Sequence, residues 1–88
     1  IEVETRTLRD VKLILNKGGF QRIMLDNYTI SDTKKAVALI GNKFEIESSG
    51  GITEKTIANY AKCGVDYISV GALTHHVKSM DLSLKAIK

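Results

Sequence analysis

Glu47-Ser48-Ser49-Gly50-Gly51-Ile52-Thr53 and Val70-Gly71-Ala72-Leu73-Thr74-His75 decide how this chain is read. Each segment follows an apolar stretch and runs toward a position where a helix is expected to begin. Glycine at the end of a strand lets the N–H groups of the turn come close to a bound anion. Two such turns, one βα unit apart, form a two-sided cradle for a phosphate ester. In parallel α/β barrels that cradle lies in the loops after the last two strands.

Around these turns strand and helix alternate. Apolar stretches that predict strands begin near Ile1, Arg22, Phe44 and Tyr67, a spacing of roughly 22 residues that suits one strand, one helix and two loops. Leu8, Val11, Ile14 and Leu15 give a helical stripe, with Thr7 as N-cap and Asp10 three residues on. Ser31 is expected to cap a second helix with Ala36, Val37 and Ile40 inward, stopped at Gly41-Asn42. Thr53 is expected to cap a third, with Ile57, Tyr60 and Ala61 inward and Gly64 at its end. The tail predicts a short helix from His75 to Met80 and a last one from about Asp81, with Leu82, Leu84 and Ile87 apolar. Lys17-Gly18-Gly19 precedes a strand and reads as a helix end and loop. The expected class is α/β with four parallel βα units.

Alternation along the strands sorts the side chains onto two faces. Ile1, Val3, Ile23, Leu25, Phe44, Ile46, Ile68 and Val70 share one, which should pack on the helices. Glu2, Glu4, Met24, Asp26, Glu45, Glu47, Ser49, Tyr67, Ser69 and Gly71 share the other. An ionised carboxylate buried without a partner costs several kcal/mol. This acidic face therefore calls for metal, substrate hydroxyls or cationic side chains from elsewhere in a larger protein. Four βα units are half of a (βα)8 barrel, which takes ~250 residues. The 88 residues, starting within a strand, are thus expected to be the C-terminal half of a TIM-like barrel.

Composition narrows the class. The chain is 43% hydrophobic and 26% charged, ordinary for a globular domain, and no apolar run approaches the ~20 residues of a membrane span. The net charge of +3 comes from lysines such as Lys34, Lys35, Lys55 and Lys62, scattered over expected helix surfaces without interleaved aromatics, so no nucleic-acid stripe is drawn. The single cysteine, Cys63, cannot pair within the chain, which leads to an expected cytoplasmic location and an unreactive helix thiol.

Ile1-Glu2-Val3-Glu4, Ile23-Met24-Leu25-Asp26-Asn27, the Glu47 to Ile52 segment, Gly64 to His75 and the Asp81-Leu82-Ser83-Leu84-Lys85 ending together resemble the C-terminal half of nicotinate-nucleotide pyrophosphorylase, or quinolinate phosphoribosyltransferase (decarboxylating). The motifs run in order over essentially the whole chain. The resemblance implies an enzyme of NAD biosynthesis that joins quinolinate to phosphoribosyl pyrophosphate, releasing pyrophosphate and carbon dioxide and giving nicotinate mononucleotide. It implies magnesium with the pyrophosphate, an N-terminal sandwich domain and first barrel half preceding these residues, and a homodimer or hexamer. Glu4 and Asp26 match the family's acidic pair at the ribose hydroxyls and the magnesium-pyrophosphate region. Ser49, Gly50 and Gly51 match its phosphate loop, Gly71 and Ala72 the facing turn, and His75 a phosphate-contacting histidine. His76 stands where the family often has a small residue, and Glu45 where apolar residues are commoner. Glu47 is expected to partner a basic residue outside the chain.

Two other readings use the same residues. Another phosphate-binding barrel enzyme, thiamine-phosphate-synthase-like or ribulose-phosphate-binding, would share the glycine turns without Glu-Val-Glu or Leu-Asp-Asn. A non-catalytic half-barrel for binding or assembly fits the chain taken alone, because its acidic inner face repels a dianionic pyridine dicarboxylate.

Overall fold

A computed structural model describes residues 1–80. The order is β1 (Glu2–Thr5), α1 (Leu8–Ile14), β2 (Arg22–Asp26), α2 (Ile30–Ile40), β3 (Glu45–Ser49), α3 (Ile57–Ala61), β4 (Tyr67–Val70), β5 (Leu73–His76) and a 3-10 turn (Val77–Ser79). The sheet runs β1-β2-β3-β4-β5 with every neighbour adjacent in sequence. The first four strands are parallel, and β5 returns antiparallel to β4.

The core lies between the helices and one face of the sheet, as alternation predicts. Ile23, Leu25, Ile46 and Ile68 are at most 2% exposed and pack against Val11, Ala36, Ile40, Ile57 and Ala61. Fully burying each such aliphatic side chain is worth about 1.5–3 kcal/mol. Ile1 is the exception, 84% exposed ahead of β1.

Caps set the helix starts. The Thr7 hydroxyl accepts the Asp10 N–H, and the Asp10 carboxylate accepts the Arg6 N–H. In α2 the cap is Thr29 rather than Ser31: extended backbone at Thr29 turns its hydroxyl onto the Asp32 N–H, so the helix starts earlier than expected. Thr53 does not cap α3 directly. It closes the preceding turn, its carbonyl accepting the Thr56 and Ile57 N–H groups, and helix begins at Ile57.

The fourth βα unit is not formed among the described residues. Val70 and Leu73 pair across a two-residue loop, Gly71-Ala72, with Gly71 at φ 62° and Ala72 outside the left-handed region. This is the type II′ pattern, which suits antiparallel strands, so β5 covers the β4 edge where a helix was expected from His75. The expected helix from Asp81 lies outside the described residues. The architecture is an α/β fold on a mostly parallel five-stranded sheet. No helix among the described residues is long and apolar enough to cross a membrane.

Candidate active site at the C-terminal ends of the strands

Part of the acidic face of the sheet is paired within the chain. Arg22, at the start of β2, points its guanidinium at Glu45 Oε1 (3.3 Å) and Glu47 Oε1 (3.3 Å) and lies 3.6 Å from the Tyr67 ring centroid. Glu47 is 4% exposed and also accepts the Ser69 hydroxyl at 2.7 Å. Its basic partner is therefore in this chain, which corrects the expectation of one supplied from outside. Burial alone would raise the Glu47 pKa, but hydrogen bonds from Glu2, Ser69 and Arg22 outweigh it and hold the carboxyl below its usual range. Glu2 moves the other way. Partial desolvation, then a hydrogen bond and like charge from Glu47, push it up to about 7. The Arg22 guanidinium beside Glu47 favours the charge there. Alternation through Arg22, Met24 and Asp26 carries the signal that places this arginine on the polar face.

The expected acidic pair does come together. Arg6 Nε lies 3.5 Å from Glu4 Oε2 and 3.7 Å from Asp26 Oδ2. The Arg6 side chain is 76% exposed, so each contact is worth about 0–1 kcal/mol and yields readily to a ligand. As hard oxygen donors, two carboxylates fit a magnesium ion that keeps its waters and arrives on a phosphate. Among the described residues, no group of three or more His, Cys, Asp or Glu side chains forms a metal cage of its own.

Beside Asp26 the two turns interlock. Asn27 stands at φ 63° and donates its N–H to the Ser49 carbonyl at 2.7 Å. Gly50, at φ 89°, packs so closely that a Cβ would meet Asp26 Oδ1 at 2.9 Å and the Asn27 nitrogen at 3.0 Å. Gly51 follows at φ 68° beside the Asn27 side chain. Tyr28 is 5% exposed; its hydroxyl donates to the Thr7 carbonyl (2.6 Å) and lies 2.8 Å from Thr5 Oγ1. The Tyr60 hydroxyl donates to the Tyr28 carbonyl at 2.7 Å. Neither tyrosine is marked by sequence as part of the site, since both act through contacts distant in the chain.

Of the expected site residues, the structure gathers Glu4, Asp26, Ser49, Gly50 and Gly51 at one edge. It places Gly71 and Ala72 at an exposed hairpin tip and His75 in β5, not at a helix start. His75 pairs with Ile68 and so lies on the helix-side face, exposed. His76 pairs with Tyr67 on the polar face, edge-on at 4.8 Å. Cys63 hydrogen-bonds the Asn59 carbonyl, and burial raises its pKa, as suits an unreactive thiol.

The mostly parallel sheet thus carries paired carboxylates and a glycine turn at its C-terminal strand ends, the end where α/β folds place their ligands. The chain belongs to the family described as quinolinate phosphoribosyl transferase, C-terminal domain, whose pattern matches residues 1–85. It is 46% identical to the chloroplastic nicotinate-nucleotide pyrophosphorylase [carboxylating] of Oryza sativa subsp. japonica over 97% of this chain and 27% of that protein. It is 43% identical to the mitochondrial quinolinate phosphoribosyltransferase [decarboxylating] 2b of Nicotiana tabacum, over 97% of this chain and 28% of that protein. The structure of the nicotinate-nucleotide pyrophosphorylase from Francisella tularensis superposes with a TM-score of 0.75 at 38% identity, covering 92% of this chain and 29% of that one. The chain therefore spans little more than a quarter of the length of these relatives. Their chloroplastic and mitochondrial names overturn the cytoplasmic location expected from a lone cysteine. An unpaired thiol is equally at home in those organelles.

Proposed function

We propose that the intact protein transfers a phosphoribosyl group from phosphoribosyl pyrophosphate to quinolinate, with decarboxylation to nicotinate mononucleotide. The observation that carries this reading is the meeting of Glu4 and Asp26 beside the Ser49-Gly50 turn, on a chain of this family. Acceptors at Glu4 and Asp26 would hold the ribose hydroxyls, and their charge would stabilise the cationic anomeric carbon as pyrophosphate leaves. The Ser49 hydroxyl and the Gly50 and Gly51 N–H groups would grip the 5′-phosphate. The Gly71-Ala72 turn after β4 is assigned to the facing side of that phosphate, whereas His75, on the helix-side face of β5, is not given that role. Magnesium, when bound, would be held by Glu4 and Asp26 and would neutralise charge on the departing pyrophosphate.

Residues 1–88 are read as the C-terminal half of an incomplete α/β barrel, with the first half and a sandwich domain preceding them and a homodimer or hexamer as the working assembly. The short share of each relative that the chain covers supports this division. Quinolinate, a dianion, would be recognised by basic groups of that remaining protein, since Arg22 is already engaged with Glu45 and Glu47. The test is pyrophosphate release from phosphoribosyl pyrophosphate by the full-length protein, with quinolinate against nicotinate. Turnover with quinolinate alone is expected; turnover with nicotinate but not quinolinate would overturn the assignment.

A further inference from the structure

We infer that Tyr28 is a positioning residue that sets the spacing between Glu4 and Asp26, through hydrogen bonds from its buried hydroxyl to the far end of β1. The inference rests on the proposed role of that acidic pair. Tyr28 follows Asp26 and Asn27, while its hydroxyl reaches Thr5 and Thr7, the residues that bracket Arg6. Arg6 in turn stands between the two acids. One phenol therefore ties the segment carrying Asp26 to the segment carrying Glu4.

Proton counting shows how the tie is shared: two hydroxyl hydrogens serve three contacts. The Tyr28 hydroxyl spends its hydrogen on the Thr7 carbonyl. The Thr5 hydroxyl has one hydrogen for two acceptors, the Met24 carbonyl at 2.8 Å and the Tyr28 oxygen at 2.8 Å. The Thr7 carbonyl is also the acceptor of the first helical bond of α1, from the Val11 N–H. Tyr28 thus fixes the end of β1 and the start of α1 together. At its own backbone, the Tyr60 hydroxyl holds the Tyr28 carbonyl, so the strut is anchored on α3 as well. A loose strut would let the acids drift apart, and sub-ångström spacing governs how well a ribose is held.

The test is steady-state kinetics of the full-length protein carrying Tyr28→Phe, which removes the hydroxyl and keeps the ring. The KM for phosphoribosyl pyrophosphate should rise about tenfold, the size expected when a buried hydrogen-bond partner is left unsatisfied. The KM for quinolinate should stay within about twofold. Thr5→Val, which keeps the Tyr28–Thr7 bond, should move the first KM in the same direction by less. The double variant should fall short of the product of the two. A lowered melting temperature with both KM values unchanged would reduce Tyr28 to a structural residue and overturn the inference, as would an equal rise in both. If Tyr28→Phe fails to fold, Thr5→Val decides by the same split. A wild-type protein silent toward phosphoribosyl pyrophosphate would sink the functional reading and this inference with it; an active wild type with an unmoved Tyr28→Phe sinks the inference alone.

Discussion

Gly50 lies against the Asp26 carboxylate so closely that a single added carbon would sit 2.9 Å from Oδ1. The contact couples the glycine turn to the acid through steric fit, before any ligand is considered. Gly50→Ala should therefore do two things. Left-handed backbone at φ 89° costs an alanine about 1–2 kcal/mol, and the Asp26 carboxylate must turn away. Expected are a stability loss of about 1–3 kcal/mol by urea unfolding and at least a tenfold fall in turnover. Wild-type kinetics would show that Asp26 tolerates displacement.

Asp26→Ala should separate activity from stability. The carboxylate's ion-pair partner is the exposed Arg6, so its loss should change unfolding free energy by less than about 1 kcal/mol. Turnover in the intact enzyme should nonetheless drop by at least about tenfold, because charge at the anomeric carbon loses its stabilising neighbour. Near-wild-type turnover would remove Asp26 from the mechanism.

Arg22→Met should behave in the opposite sense. It strips the cation from Glu47, a carboxylate that is 4% exposed. Leaving such a charge unpaired costs up to about 3–5 kcal/mol when burial is complete, and somewhat less here because the Arg22 side chain is 28% exposed. Denaturant midpoints should show a loss of about 2–3 kcal/mol, and adding Glu47→Gln should return part of it. If Glu47→Gln makes Arg22→Met worse, the pairing is not what stabilises this face.

The raised Glu2 carboxyl predicts a pH signature. Glu2 holds its proton up to about pH 7 in the folded protein, against 4.5 for an ordinary glutamate. Across that window the folded state binds more protons than the unfolded one, so the stability due to Glu2 is present below 4.5 and is lost as pH rises through about 7. Glu47, with its pKa lowered, contributes above its unfolded value and loses that contribution as acid protonates it. Melting temperatures of the intact protein should decline between about pH 5 and pH 8, and Glu2→Gln should flatten that decline while sparing the acid limb. An unchanged slope in the variant would assign it to other groups.

Much of this arrangement was legible in the chain because it depends on period. Two-residue alternation put Ile23, Leu25, Ile46 and Ile68 in the core and sent Asp26 and Glu47 to the other face. Thr7 followed by Asp10 marked a helix start from neighbours alone. Ser31 failed because Thr29 offers the same cap chemistry two residues earlier, and local sequence does not rank the two. The helix expected from His75 failed for a related reason. A glycine with positive φ serves a loop into a helix and a II′ hairpin equally, and pairing of Thr74 and His75 with β4 decided between them. The tyrosine contacts were out of reach, since Tyr28 to Thr7 and Tyr60 to Tyr28 join segments more than 20 residues apart in the chain. Ser48 is a harder case: its hydroxyl is buried on the core side with no partner among the described residues. Nothing in the structure explains it.

The bond from the Asn27 N–H to the Ser49 carbonyl has a consequence for anyone wishing to transplant this chemistry. Loops on α/β scaffolds are commonly treated as exchangeable parts, each carried by its own strand. Here the loop after β2 and the loop after β3 are one part in two pieces. A graft of the glycine turn alone would arrive without the backbone donor that shapes it, and a graft of Asp26-Asn27 alone would arrive without its acceptor. The smallest portable unit is the pair of neighbouring strands with both their turns.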